Sequence, residues 1–157
     1  MSNEKCNAKV GVGINQARKR RKNMAKSVNK KNFEILNKTK TNSSIDELVF
    51  ADVKSAVLGN DYELSLVIVG KNEIRRLNKS YRNVDEATDI LSFTVSGKEG
   101  EIFLCPEIAL KEAPRFGRNY DNFMKFLFIH GLTHLKGFEH SSKMESEEKK
   151  TRKKFRV

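Results

Sequence analysis

Phe123-Met124-Lys125-Phe126-Leu127-Phe128-Ile129-His130-Gly131-Leu132-Thr133-His134-Leu135-Lys136-Gly137-Phe138-Glu139-His140 is the stretch on which the reading of this chain turns. From Phe123 to Leu135 it is apolar nearly all round. A helix of that composition is buried on most sides, so the pattern predicts a central helix, with Asn119 or Asp121 as its N-cap. Gly137 then stops it, because a residue without a Cβ enters the left-handed conformation that ends helices.

The flanking sequence supplies the elements that such a helix needs around it. Downstream, Ser141 to Lys154 reads as a charged C-terminal helix. Upstream, Ile90–Val95 and Glu101–Cys105 read as two strands joined by a turn over Ser96–Gly100, a hairpin. Leu64–Val69 is an almost unbroken apolar run, as in a strand covered on both faces. Asn72 is a candidate cap for a helix carrying Ile74, Leu77 and Tyr81. Pro106 opens a short helix to Ala113, which Pro114 and Gly117 end. Ser44 and Glu47 have capping-box spacing. They predict a helix from Ile45 to Leu58 that buries Ile45, Leu48, Val49, Val53, Ala56 and Val57. Phe33 and Ile35 alternate with polar residues as a first strand does. The expected fold is α+β (α/β-like): a small mixed sheet of about four strands packed with four or five helices around the central one.

The 157 residues suffice for one domain with a real core. The formal net charge of +11 is unevenly spread. Residues 1–31 hold ten Lys or Arg against Glu4 alone, so +9 lies there and +2 on the rest. We therefore expect a flexible basic extension over residues 1–31, helical between Asn15 and Val28, and a single domain over 32–157. Such an extension either solubilises or is drawn to polyanions, nucleic acid before anionic membrane. It is acid-poor, as organelle presequences are, but lacks their Ser-rich character and apolar face. Cys6 and Cys105 form no CxxC pair and no disulfide framework, which fits a reducing, cytoplasmic setting. No apolar run is long enough to span a bilayer.

The chain has three histidines, all within residues 130–140, in the order H-x-x-x-H-x-x-G-x-x-H. Residues i and i+4 share a helix face, so His130 and His134 can aim at one point. The turn at Gly137 can return His140 to it. Three neutral imidazoles suit one Zn²⁺ per chain and leave a fourth position open, as catalytic sites do. Nickel, manganese and iron are also compatible with imidazole. The spacing is that of the metzincin proteases, H-E-x-x-H-x-x-G-x-x-H. Their glutamate is the general base, and here that position is Gly131, which cannot move a proton.

His130-Gly131-x-x-His134-Leu135-x-Gly137-x-x-His140 resembles the signature of the YbeY family of bacterial endoribonucleases. The resemblance continues upstream over residues 32–150, in Glu63–Val69, in Leu77-Asn78 with Tyr81-Arg82, in Thr88-Asp89-Ile90-Leu91-Ser92-Phe93 and in Gly100-Glu101-Ile102. Phe138-Glu139 stands where the family has Tyr-Asp, Thr133 where it has Leu, and Thr94 where it often has Pro. The resemblance implies zinc-dependent hydrolysis of single-stranded RNA in rRNA (16S-type) maturation and ribosome quality control, with an rRNA precursor and the small ribosomal subunit as partners. It assigns His130, His134 and His140 to the metal, His130 to catalysis and Arg82 to catalysis and substrate binding. Guanidinium grips phosphate oxygens bidentately. Asp89 and Ser92 are further cleft candidates, and no residue stands out as general base. Two other readings remain: a non-catalytic RNA- or ribosome-binding protein whose zinc is closed by Cys105, and a metallopeptidase.

Overall fold

The computed structural model describes residues 7–9, 27–30, 32–43 and 45–157, the first two segments as backbone. Its centre is a mixed sheet. Strands β3 (Phe33–Asn37), β4 (Glu63–Ile68) and β6 (Glu99–Leu104) are parallel, and β5 (Ile90–Ser96) is antiparallel to β6, in the order β5-β6-β4-β3. These are the four strands the sequence predicts. Two short strands from the basic segment extend the edges: β1 (Asn7–Lys9) lies beside β5 and β2 (Ser27–Lys30) beside β3. The helix expected between Asn15 and Val28 falls largely outside the described residues, and its last two positions, Ser27 and Val28, belong to β2.

The side-chain alternation of the strands builds two apolar layers. Leu64, Leu66, Ile68, Ile90, Ile102 and Leu104 point into the larger one. Val67, Val69, Leu91, Phe93, Phe103 and Cys105 point into the smaller. Helix α1 (Glu47–Leu58) and helix α4 (Tyr120–Leu135) cover the first face, and α2 (Lys71–Arg82) covers the second. Helix α3 (Pro106–Glu112) and a 3₁₀ turn (Ala113–Phe116) lead into α4, and α5 (Ser142–Phe155) closes the chain against it. Eleven of the sixteen residues of α4 are buried, as expected of the central helix, and Asn119 caps it by accepting from the Asn122 N–H.

Several local expectations change. Helix α1 starts at Glu47 with Asp46 as its cap, accepting from the Leu48 and Val49 N–H groups at 3.2 Å; the Ser44 half of the expected capping box lies outside the described residues. The buried face is Phe50, Ala51, Val53 and Lys54, and Leu48 and Ala56 face solvent. The reason is size: the Phe50 ring stacks on Phe128 with centroids 4.6 Å apart, a contact that no smaller residue at Leu48 or Ala56 replaces. Gly70, not Asn72, is the N-cap of α2. The helix from Pro106 ends at Glu112, one residue short of Ala113, where Pro114 forces the tighter 3₁₀ turn.

Helix α4 packs unusually close to the sheet at Gly131. A Cβ built there would stand 2.8 Å from Ser92 Oγ, 2.9 Å from Ile90 Cδ1 and 3.0 Å from Ile102 Cδ1. The missing side chain is thus a packing requirement of the helix–sheet seam as well as the absence of a base.

Candidate metal centre

The last turn of α4 sets the geometry. Lys136 is its C-cap, and Gly137 adopts φ +104°. The Gly137 N–H donates to the His134 carbonyl at 2.9 Å, and the Phe138 N–H donates to the Thr133 carbonyl at 3.3 Å. That paired closure is a Schellman turn, and it swings the chain back so that His140 meets His130 and His134. The ligand atoms of all three lie within 4.8 Å of one another. Among the described residues this is the group of His, Cys, Asp and Glu side chains able to hold a metal ion, and it has no fourth member.

Each helical histidine has its Nδ1 occupied. His130 Nδ1–H donates to Glu148 Oε1 at 2.7 Å, and His134 Nδ1–H donates to the Phe138 carbonyl at 3.0 Å. These bonds select the tautomer whose Nε2 lone pair is free. The two Nε2 atoms then face each other at 3.2 Å. Nitrogens about 2.0–2.1 Å from one ion at tetrahedral angles stand ~3.3 Å apart. Two lone pairs at this separation repel unless a cation lies between them, so the residues fit a metal.

Electrostatics favour the same state. Burial, and next the neighbouring His130, push the His134 pKa down to about 4, so the ring is neutral at neutral pH. His140 is lowered by the same two causes although its surface is exposed. Burial alone would raise the Glu148 carboxyl, but its bonds to His130 and to Arg152, whose NH1 donates to Oε2 at 3.0 Å, outweigh burial and hold it below the usual range. Glu148 is therefore an anion fastened between the His130 ring and a guanidinium.

Glu148 is the site residue that sequence reasoning missed. The carboxylate next to the last histidine, Glu139, is exposed, and it is Glu148 from α5 that holds His130, a candidate ligand. Met144 lies one turn before Glu148 on the same face, and the two are the buried residues of α5. That apolar neighbour was the available signal. Glu148→Gln is expected to weaken zinc binding about 10–100-fold with the fold retained, measured by competition with a chromophoric chelator; an unchanged affinity would deny Glu148 this role.

The other candidates are spread more widely. Cys105 lies at the start of α3 in the smaller apolar layer, across the sheet from α4, and burial pushes its thiol pKa up, away from the ligating thiolate. It is not part of the metal group. Ser92 faces Gly131 in the helix–sheet seam, and its buried hydroxyl has no hydrogen-bond partner among the described residues. Asp89 is buried just before β5, its carboxyl raised by burial, with Thr88 Oγ1 donating to it at 3.3 Å. Arg82 is half-buried at the end of α2, the helix on the other face of the sheet, and its NH1 donates to Asn78 Oδ1 at 3.3 Å.

A family model described as Endoribonuclease YbeY matches residues 24–156. The chain belongs to the YbeY endoribonuclease family. A Staphylococcus carnosus protein named Endoribonuclease YbeY is 32% identical over 116 residues, covering 66% of this chain and 76% of that protein. The protein of the same name from Staphylococcus aureus is 30% identical over 118 residues, with the same coverage. The solution structure of a Thermotoga maritima protein superposes with a TM-score of 0.57 at 26% identity, covering 78% of this chain and 88% of the other. The YbeY match thus includes the whole histidine motif, α5 with Glu148, and strand β2.

Proposed function

We propose that this protein is a zinc-dependent endoribonuclease that hydrolyses phosphodiester bonds in single-stranded RNA, acting on rRNA (16S-type) precursors and on defective ribosomes. Its family supports the enzyme class and the RNA substrate. The observation that carries the reading is the convergence of three imidazoles, two buried and one exposed, with no fourth protein ligand among the described residues. That arrangement leaves a face from which a phosphate can approach.

A bound divalent cation supplies Lewis acidity towards water and a phosphoryl oxygen. The chain's own residues do the rest. Glu148 fixes the plane of His130, and the Phe138 carbonyl fixes His134. His140, on the exposed side, borders the approach path. Arg82 is proposed to contact the substrate phosphate and offset the charge that grows on it. In this reading residues 32–157 are the hydrolase domain and the preceding basic segment binds RNA or the small ribosomal subunit through phosphates, without reading sequence. No helix among the described residues is long and apolar enough to cross a membrane, and we propose a cytoplasmic site of action.

The test is cleavage of a single-stranded RNA by the zinc-loaded protein. Arg82→Ala is expected to lower kcat by about 10²–10³-fold, as loss of one charge-stabilising donor does, with zinc content unchanged. Arg82→Lys, which lacks the bidentate fork, restores only part of the loss. An Arg82→Ala enzyme with full activity would remove Arg82 from the mechanism. Failure of the wild type to cut RNA under zinc loading would favour the RNA-binding alternative. The peptidase reading finds no support at Gly131, where the glutamate it needs would press into Ser92, Ile90 and Ile102.

A further inference from the structure

A cavity lies away from the histidines. It has a volume of about 580 Å³ and opens at the carboxyl ends of the three parallel strands. Its wall runs from the loop after β3 through Val69 and Gly70 after β4 to Pro106 after β6, and reaches Tyr120 at the start of α4. His130 follows ten residues later on that helix, about 15 Å along its axis. The two sites are therefore distinct.

Topology makes this crevice more than a surface dent. After β3 the chain crosses to the larger apolar layer through α1, and after the neighbouring strand β4 it crosses to the smaller layer through α2. Adjacent parallel strands whose connections leave to opposite faces open a gap at their carboxyl ends, and ligands of α/β sheets bind there. The volume is in the range of small-molecule sites.

The lining carries two kinds of chemistry. Lys38 and Lys40 are exposed on one side, and neither forms an ion pair among the described residues. They adjoin the first turn of the twelve-residue helix α2, whose cap Gly70 offers no side-chain hydrogen bond to the helix N–H groups and whose carboxylate, Glu73, lies near Lys38 but is held by Arg76 at 2.8 Å. The acidic side chain present, Glu107, is engaged by Lys111 at 3.7 Å. Opposite in character are Pro106, Tyr120 and Leu110. Leu110 is 60% exposed, one of two large apolar side chains left so open among the described residues. A lysine rim beside a helix start whose carboxylate is already held by an arginine suits a phosphate, and an apolar wall with an aromatic ring suits a base.

We propose that this crevice binds a nucleoside monophosphate, its phosphate at Lys38, Lys40 and the start of α2, and its base against Leu110, Pro106 and Tyr120. The inference goes beyond the cleavage reading and does not depend on it. The same chemistry is presented by a free mononucleotide and by the 5′-phosphorylated end of an RNA.

The experiment is calorimetric titration of the full chain, stripped of metal with chelator, with AMP, adenosine, inorganic phosphate and a 5′-phosphorylated tetraribonucleotide. AMP is expected to bind, with adenosine and phosphate each about tenfold weaker or more. The double variant Lys38→Ala, Lys40→Ala is expected to lose about tenfold for AMP but little for adenosine. Leu110→Asp is expected to weaken AMP and adenosine alike. Each substituted side chain is exposed, so the variants keep the fold, which circular dichroism checks. A tetranucleotide that binds tighter than AMP and is displaced by it identifies an RNA end as the source; AMP binding as tightly as the tetranucleotide identifies the free nucleotide. No AMP binding at millimolar concentration, or binding unchanged in both variants, overturns the proposal. So does binding that disappears in His134→Ala, which would locate the nucleotide at the histidines.

Discussion

His134→Ala will empty the metal centre. The purified wild type is expected to carry about one zinc per chain and the variant close to none. His134 is one of the three proposed ligands, and its Nε2 stands 3.2 Å from that of His130, so two imidazoles without the third point define no tetrahedral site. Elemental mass spectrometry after exhaustive dialysis measures this. RNA cleavage by the variant is expected to fall to background. The fold should largely survive, because the lost ring is one buried side chain whose Nδ1 bond to the Phe138 carbonyl is a single hydrogen bond, a loss of about 1–3 kcal/mol. Urea unfolding with chelator present, for wild type and variant, separates that loss from the stability the ion itself supplies. One zinc per chain in the variant would mean that the metal is held elsewhere, and the proposed function would lose its foundation.

Gly131→Glu writes the metzincin base into this site, and it is expected to cost the fold rather than create a peptidase. The space is absent: Ser92, Ile90 and Ile102 already stand within about 3 Å of where a Cβ would lie. A carboxylate pressed into that seam meets aliphatic groups and Ser92, a desolvation and overpacking cost of about 3 kcal/mol or more. For a chain of this size that lowers Tm by about 6 °C or more. Gly131→Ala is the control. There the helix gains about 1 kcal/mol of propensity over glycine, and the obstructing atoms are the tips of side chains, so the net change is expected to stay within about 1 kcal/mol. Thermal unfolding of the two variants gives the comparison. A Gly131→Glu protein as stable as the wild type would show that the seam opens readily.

Most of the metal centre could be read along the chain because its parts are local. His130 and His134 are one helical turn apart, and Gly137 is the residue that lets the chain turn back. The central helix was legible for a different reason, since residues 123–135 are apolar on every side and no surface helix is built that way. Where the readings changed, the deciding contact was distant in sequence. Leu48 and Phe50 are two positions apart, nearly opposite on a helix, and only the ring of Phe128 across the core determines which of them turns inward. Glu148 sits among Glu145, Glu147 and five lysines of a charged helix, and its burial follows from where α5 lies against α4. The cavity at the strand ends needs the strand order, which no single segment contains.

Glu148 also ties the metal centre to the end of the chain. Its two oxygens accept from a ligand of α4 and from Arg152, a turn further along α5, while Arg152 reaches back to Glu145 at 2.7 Å. Undocking α5 removes the anion that orients His130, so the docked helix and the loaded site favour each other. Such coupling is reciprocal. With an ion at the proposed site, whatever bound the basic end of α5 in its docked position would raise the affinity for that ion, and the ion would raise the affinity of that binder by the same factor, so the C-terminal helix would be a handle through which a bound polyanion acts on the histidines.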